Sequence, residues 1–313
     1  MDKSRHLYGP ALRYFAAVAQ AGSIRAAARD LNVASSAVNR QVLWLERALG
    51  HALFDRLARG VRLTPAGEIL RAHVLRTLSD FSATAGELDA LTGMRSGAVS
   101  IASVESVSET LLPAVVGEFR RLYPGIHVAI RIAGSVQVAE AVIAGETDVG
   151  FSFEPPEDPR LSAAFRRDLA IGAVMAPGHP LATLQPLHLT DCLAYPFCLP
   201  TRDLSLRKLI DVAMPADALA GQAFVETNSL RMMKRLAAGG ETLAFQTMIG
   251  LEREVFDGAL VFRRLADTAL AADRFTVLTS SHRGLSHAAQ AFFDHSVAAV
   301  GDRLSQIDAD TAS

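Results

Sequence analysis

Cysteine is almost missing from this chain. Cys192 and Cys198 are the only two in 313 residues, with five residues between them. That is too few and too close for a disulfide framework. No histidine or cysteine set at zinc-ligand spacing accompanies them, so no metal or other cofactor is expected. Flanking a predicted strand, the pair is expected to be buried and inert, with a redox pair as the other reading. Lysine is scarce too, at three residues, so the positive charge is nearly all arginine; the bias reads as genomic and carries no functional weight. No apolar run approaches the roughly twenty residues of a membrane-spanning helix. The opening MDKSRHLYG lacks the apolar core of a secretion signal, so the expected location is the cytoplasm. Enzymatic signatures are equally absent. There is no phosphate-cradling glycine loop after a first strand and no nucleophile elbow. Glu146 and Asp148 fall in a turn, where acids are commonplace.

The residues that are present describe an ordinary globular protein of two or three domains, half of them apolar and a fifth charged. The net charge of −2 conceals an asymmetry. Residues 1–65 hold ten lysines and arginines against four acids, a surplus of six, which leaves −8 for the remainder. A basic head on an acidic body suits binding to a phosphate backbone.

Inside that head, Ser23 to Glu46 runs SIRAAARDLNVASSAVNRQVLWLE. Ser23 is placed to cap a helix, and Ile24, Ala27, Ala28 and Leu31 then share one face. Asn32 and Val33 break it. Ser35 or Ser36 caps a second helix that buries Ala37, Val38, Val42, Leu45 and Leu49. Its other face shows Ser36, Asn39, Arg40 and Leu43. Two short helices with a tight turn read as a helix-turn-helix whose second member enters a major groove; two packed helices of a plain bundle are the alternative. Before them, Pro10 starts a helix with Leu12, Phe15, Ala16 and Ala19 inward and Gly22 at its end. After them, Arg56, Arg59 and Arg62 surround Gly60 in HALFDRLARGVRLT, which reads as a two-stranded wing, or as a solvated basic hairpin. The expected DNA contacts are Ser23, Arg25, Ser35, Ser36, Asn39, Arg40, Arg56, Arg59 and Arg62.

Thr64-Pro65 opens a long helix that meets no breaker until Gly93. Leu70, Val74, Leu78, Phe81, Ala85, Leu88 and Leu91 form a stripe narrow enough for a two-helix seam. We expect dimerisation there, with Leu70, Val74, Leu78, Phe81 and Leu88 at the contact; packing on the protein's own body is the alternative.

The head resembles the N-terminus of the LysR-type transcriptional regulators. The likeness runs from Leu12-Arg13-Tyr14-Phe15 through Ala21-Gly22-Ser23, Ala26-Ala27, Leu45-Glu46, Leu49-Gly50, Leu53-Phe54 and Arg56 to Leu63-Thr64-Pro65-Ala66-Gly67. It departs at the recognition helix, where the family's Ser-Gln-Pro is replaced by Ala34-Ser35-Ser36 and Asn39 stands where serine is common. The bases read should differ accordingly, because Ser35 cannot hold an adenine edge bidentately as glutamine can.

Beyond a hinge at Met94-Arg95-Ser96-Gly97, strand and helix alternate. The strands are AVSIAS, HVAIRIAG, TDVGFSF, AIGAVMAP, AYPFCLP, QAFVET, TLAFQ, ALVFRRL and RFTVLTSS, and the last helix runs from about His287 to Val300. The rhythm argues parallel sheets with crossovers. LLP at 111–113, FRRLYPG at 119–125, AGETDVGF at 144–151, GHPLA at 178–182 and LAAGGETLAF at 236–245 resemble the same family's effector domain.

Together these resemblances imply an all-α winged helix-turn-helix domain, a long linker helix, and an α/β effector domain of two Rossmann-like subdomains, similar to type 2 periplasmic binding proteins. The expected divisions are 1–65 for DNA binding, 66–95 for the linker, 96–303 for the effector domain and 304–313 for a frayed tail. Within the effector domain one subdomain takes about 97–168 and 266–303, and the other about 169–265. The ligand cleft would lie beyond strand ends, where helices begin. Its expected residues are Ser103, Val104, Glu105, Ser106, Ser135, Thr201, Arg202, Asn228 and Gln246. Hydroxyls at helix starts with Arg202 suit a carboxylate, while Glu105 could hold an amine, so an amino acid also fits. The function implied is a sequence-specific DNA-binding regulator tuned by a small molecule. Regulation by a cysteine switch, or without a ligand, is the alternative. The partners implied are a promoter inverted repeat and a second copy of the chain, in a homodimer or a tetramer built from two dimers. An enzyme and a solute-binding protein are the competing classes, opposed by the missing motifs and by the basic head.

Overall fold

The computed structural model describes residues 9–57, 60–91, 97–214 and 223–311; the side chains at 78–80, 82, 83, 85–91 and 308–311 lie outside that description. The chain forms two compact units, one built on residues up to Gly97 and one on most of the remaining chain.

In the first unit, helices α1 (Pro10–Ala21), α2 (Ile24–Asp30) and α3 (Ser35–Leu49) precede strands β1 (Phe54–Arg56) and β2 (Val61–Leu63), and α4 (Pro65–Leu91) comes last. Gly22, at φ +61, ends α1 and returns its N–H to Val18 O. Ser23 Oγ accepts from Ala26 N at the start of α2. Asn32 sits in the left-handed region at φ +54, which lets the turn close within the four residues between the helices. One core joins Phe15, Val18, Ala27, Ala28, Val38, Val42, Leu45, Leu53, Phe54 and Val74. Burying these side chains is what makes short helices stable.

Two expectations on α3 are corrected. Its N-cap is Ala34, which makes no side-chain cap bond; Ser35 and Ser36 lie inside the helix with exposed side chains. Leu49 is exposed, because the last turn of α3 runs past the edge of the core at Leu45. The stripe on α4 also divides. Val74 is buried in the head's own core and so is not available for a seam between chains, whereas Leu70 packs against that core and stays partly exposed. Phe81 is half-buried, and the Leu78 and Leu88 side chains lie outside the described residues.

The second unit begins with β3 (Gly97–Ser103), α5 (Glu105–Glu109), α6 (Leu111–Leu122), β4 (Ile126–Ile132), α7 (Ser135–Ala144), β5 (Val149–Phe153) and β6 (Leu161–Leu169). It continues with β7 (Gly172–Met175), α8 (Leu189–Cys192), β8 (Phe197–Pro200), α9 (Ser205–Ala213), β9 (Ala223–Thr227), α10 (Leu230–Ala237), β10 (Leu243–Gln246), α11 (Glu252–Phe256) and β11 (Val261–Arg264). It ends with β12 (Asp273–Ser280) and α12 (His287–Thr311). Two five-stranded sheets result, ordered β4-β3-β5-β12-β6 and β11-β7-β10-β8-β9. The chain leaves the first after Leu169 and re-enters it at Asp273.

The sheets are mixed rather than parallel. β3 pairs parallel with β5, and β8 with β9 and β10, but β12 lies antiparallel to β5 and β6, and β7 antiparallel to β10 and β11. β6, which is not among the expected strands, alternates half-buried and exposed along an edge. The expected fray at the C-terminus is also corrected. α12 runs on to Thr311, anchored by Val300 and Leu304, both fully buried. Asp148 has a structural role, accepting from Ser100 N and Oγ and pairing with Arg283 at 2.7 Å.

Candidate nucleic-acid interface and ligand cleft

On the head, Val38, Val42 and Leu45 fix one face of α3 in the core, which turns Ser36 and Arg40 outward. Asn39 is half-buried, and its Oδ1 accepts from Arg56 Nη2 at 3.2 Å, tying this side of α3 to the first strand of the wing. The wing is held by its backbone. Val61 N donates to Gly22 O at 2.8 Å, and Leu57 N to Gly60 O. Only glycine fits at position 60, where φ is +95 and a Cβ would stand 2.4 Å from Gly22 O. Glu46 fixes the approach to the wing by accepting from Leu53 N at 2.8 Å and Phe54 N at 3.3 Å. Arg25, Arg40 and Arg62 are exposed, Arg62 in a loose pair with Asp55 at 3.4 Å. Ser23 has its oxygen committed to the cap of α2. Arg59 lies outside the described residues.

Between the two sheets of the second unit is a cavity of about 450 Å³. Val104, Glu105, Ser106, Ser135, Asn228 and Gln246 line it, six of the nine residues expected there. The other three do not. Ser103 is fully buried behind the wall, and its hydroxyl donates to Val104 O. Thr201 stands back from the cavity and Arg202 points to solvent, 4.0 Å from Asp211. No basic side chain lines the cavity among the described residues, whereas Glu105, Asp203 and Asp273 all do. The wall is acidic.

Each acid is differently occupied. Glu105 receives Ser229 Oγ at 3.0 Å and Leu230 N at 2.7 Å, so it caps α10 from across the cleft and is not a vacant amine site. This is favourable because the first N–H groups of a helix lack partners and carry partial positive charge. A second cross-cleft link is Lys234, buried, with its Nζ 3.2 Å from Glu109 and 2.7 Å from Glu254. Asp203 is held below its ordinary value, first by the nearby Thr201 hydroxyl dipole, then by its own backbone N–H and by Asn228, although Thr201 Oγ1 makes no hydrogen bond among the described residues. Asp273 is 4% exposed and accepts from Ser205 Oγ at 3.1 Å. Burial pushes its carboxyl up to about 7, against the Ser205 hydrogen bond and with Glu154 adding repulsion. Asp203, Ser205 and Asp273 were not among the expected residues. Ser205 carried a signal, standing at the start of an amphipathic helix; Asp273 did not.

Both cysteines are free and fully buried. Burial first, and nearby Asp191 and Asp267 next, push the Cys192 thiol up to about 12; burial pushes Cys198 up to about 11. Both shifts disfavour the thiolate that oxidation requires. The alternative of a cysteine switch has no support here.

Two family models match the chain. "Bacterial regulatory helix-turn-helix protein, lysR family" covers residues 10–68, and "LysR substrate binding domain" covers 92–301. The chain belongs to the LysR family. It is a transcriptional regulator and not an enzyme. Relatives of this regulator include a probable RuBisCO transcriptional regulator of Emiliania huxleyi, 27% identical over 265 residues that span 83% of this chain and 84% of that protein. Another is the HTH-type transcriptional regulator BbuR of Bordetella bronchiseptica, 28% identical over 83% of this chain and 80% of its own. Among solved structures, full-length OxyR of Pseudomonas aeruginosa matches with a TM-score of 0.70 at 17% identity, covering 93% of both chains. CbnR in complex with its target DNA matches with a TM-score of 0.59 at 20% identity, over 93% of this chain and 99% of that one. These likenesses establish the fold. Among the described residues no helix is long and apolar enough to cross a membrane.

Proposed function

We propose that this LysR-family regulator binds an inverted repeat in promoter DNA as a dimer, and that a small molecule in the cleft of the second unit modulates that binding. The observation that carries the first half is the exposed face of α3 beside the wing, joined by the Asn39–Arg56 hydrogen bond. Ser35, Ser36, Asn39 and Arg40 reach for base edges, while Arg25, Arg56, Arg59 and Arg62 meet phosphates or the minor groove. Ser23 acts through the cap of α2. Trp44 and Ile69, large and exposed on this unit, suit a covering partner chain. The domain divisions proposed are those stated above, with the last helix extended to Thr311.

A cleft that opens between two sheets gives the ligand leverage. Contacts to both walls favour one arrangement of the two sheets, and a shift from mostly off to mostly on needs about 5.5 kcal/mol of preference. The test is a footprint of promoter fragments with Arg40→Ala and Arg59→Ala. Arg40→Ala should lose the specific site. Arg59→Ala should weaken all sequences alike and reduce the salt slope by about one. An undiminished footprint with Arg40→Ala overturns the reading.

A further inference from the structure

We infer that the cleft takes its ligand by a cationic nitrogen, an ammonium group received by the Asp273 carboxylate. The inference rests on the reading of the cleft as the effector site, and adds the chemical class of the effector.

Three observations carry it. The wall presents three carboxylates and, among the described residues, no lysine, arginine or histidine. An anionic ligand would therefore enter a field of its own sign, without a countercharge. Second, Glu105 is already served by Ser229 Oγ and Leu230 N, and Asp203 is exposed to solvent. Third, Asp273 is half served. Ser205 Oγ donates to Oδ2, while Oδ1 is buried with no hydrogen-bond partner among the described residues. A buried carboxylate oxygen without a donor is costly, and an ammonium group supplies both a donor and the opposite charge. Its remaining N–H groups have Ser106, Ser135 and the buried Gln246 within the same cavity. Ile132, Phe153 and Leu206 offer the carbon skeleton an apolar wall. A volume near 450 Å³ fits a small metabolite.

Burial sets the pH behaviour of Asp273 first, and Ser205 and Glu154 modify it. Glu154 stands just after β5, Ser205 starts α9 with Asp203 just before it, and the Asp168–Arg274 pair lies alongside on β6 and β12. The carboxyl, at about 7, must ionise to hold the amine. Affinity should therefore rise about tenfold from pH 6 to pH 8.

A matched four-carbon set tests this on the full-length protein by calorimetry and thermal shift: 1,4-diaminobutane, 4-aminobutanoate, succinate and 1,4-butanediol. The two amines should bind and raise the melting midpoint, and succinate and the diol should not. Asp273→Asn, of equal shape, should weaken amine binding by between about tenfold and about a hundredfold. Ser205→Ala, which removes the hydrogen bond that favours the ionised carboxyl, should weaken amine binding near pH 7, but by less than Asp273→Asn does, and the loss should shrink as the pH rises. Three results overturn the inference: succinate or the diol binding in preference to the amines, amines binding Asp273→Asn undiminished, or silence from all four. A broad metabolite screen distinguishes failure of the amine class from failure of the effector site. Hits without an amine sink this inference and leave the effector reading standing; no hits at all remove both.

Discussion

Replacing Asp273 by asparagine should stabilise the protein, and by more as the pH rises. The carboxyl sits at about 7 in the fold against an ordinary 3.8. In this window the folded state binds the proton more tightly than the unfolded chain, so stability conferred by the protonated form is full below about pH 4 and is lost as pH climbs to 7. Each tenfold step is worth about 1.4 kcal/mol. The raised pKa therefore costs about 4 kcal/mol at pH 8 and less than half of that at pH 5, and asparagine avoids both. The difference between variant and parent should widen by about 3 kcal/mol between those pH values. For a unit of this size that is about 5–10 °C in melting midpoint. Every other titrating group is common to both proteins and drops out of the comparison. The assay is a thermal melt of parent and variant at half-unit pH steps from 5 to 8, without ligand. A gap that stays flat, or narrows with rising pH, refutes the account of Asp273 as a buried carboxylate short of donors.

The geometry leads to three other outcomes. Gly60→Ala puts a Cβ 2.4 Å from Gly22 O at a φ of +95, so the wing must shift; DNA affinity should fall while ligand binding to the cleft is unchanged, as anisotropy and calorimetry would show. Glu105→Ala removes two hydrogen bonds and the carboxylate cap of α10, and should cost about 1–3 kcal/mol, with faster amide exchange confined to the first turn of α10. Cys192 and Cys198 should resist a thiol reagent at pH 8 until the protein is unfolded, and blocking that does proceed in the native state, with loss of promoter binding, would restore the cysteine switch.

How far the sequence alone reached depended on the length scale of each interaction. Cap, turn and periodicity act within a few residues, so Ser23, Gly22 and the Phe15–Val38–Leu45 core were legible in the order of the chain, as was the alternation that builds both sheets. The family likeness strengthened that reading at the head, where spacing is tight and specific. Local rules also erred locally. Serines at 35 and 36 looked like caps because capping propensity outranked the extended backbone that Ala34 supplies, and Leu49 looked buried because a helical stripe does not say where the core beneath it stops.

The cleft was a different matter. Glu105 meets Leu230 across 125 residues, and Ser205 meets Asp273 across 68. Whether a carboxylate there is capped, paired or left short of donors depends on which chain segments the two sheets bring together. That is why Arg202, a cation by type, turned out to face water, and why an aspartate at the first position of β12 turned out to be a buried acid on the cavity wall. Residue types and their spacing determined the architecture and the exposed polar face of α3. The charge of the cavity wall, and which of its carboxylates lacks a donor, were decided only by tertiary packing, because solvation and pairing are properties of a place in the fold and not of a position in the chain.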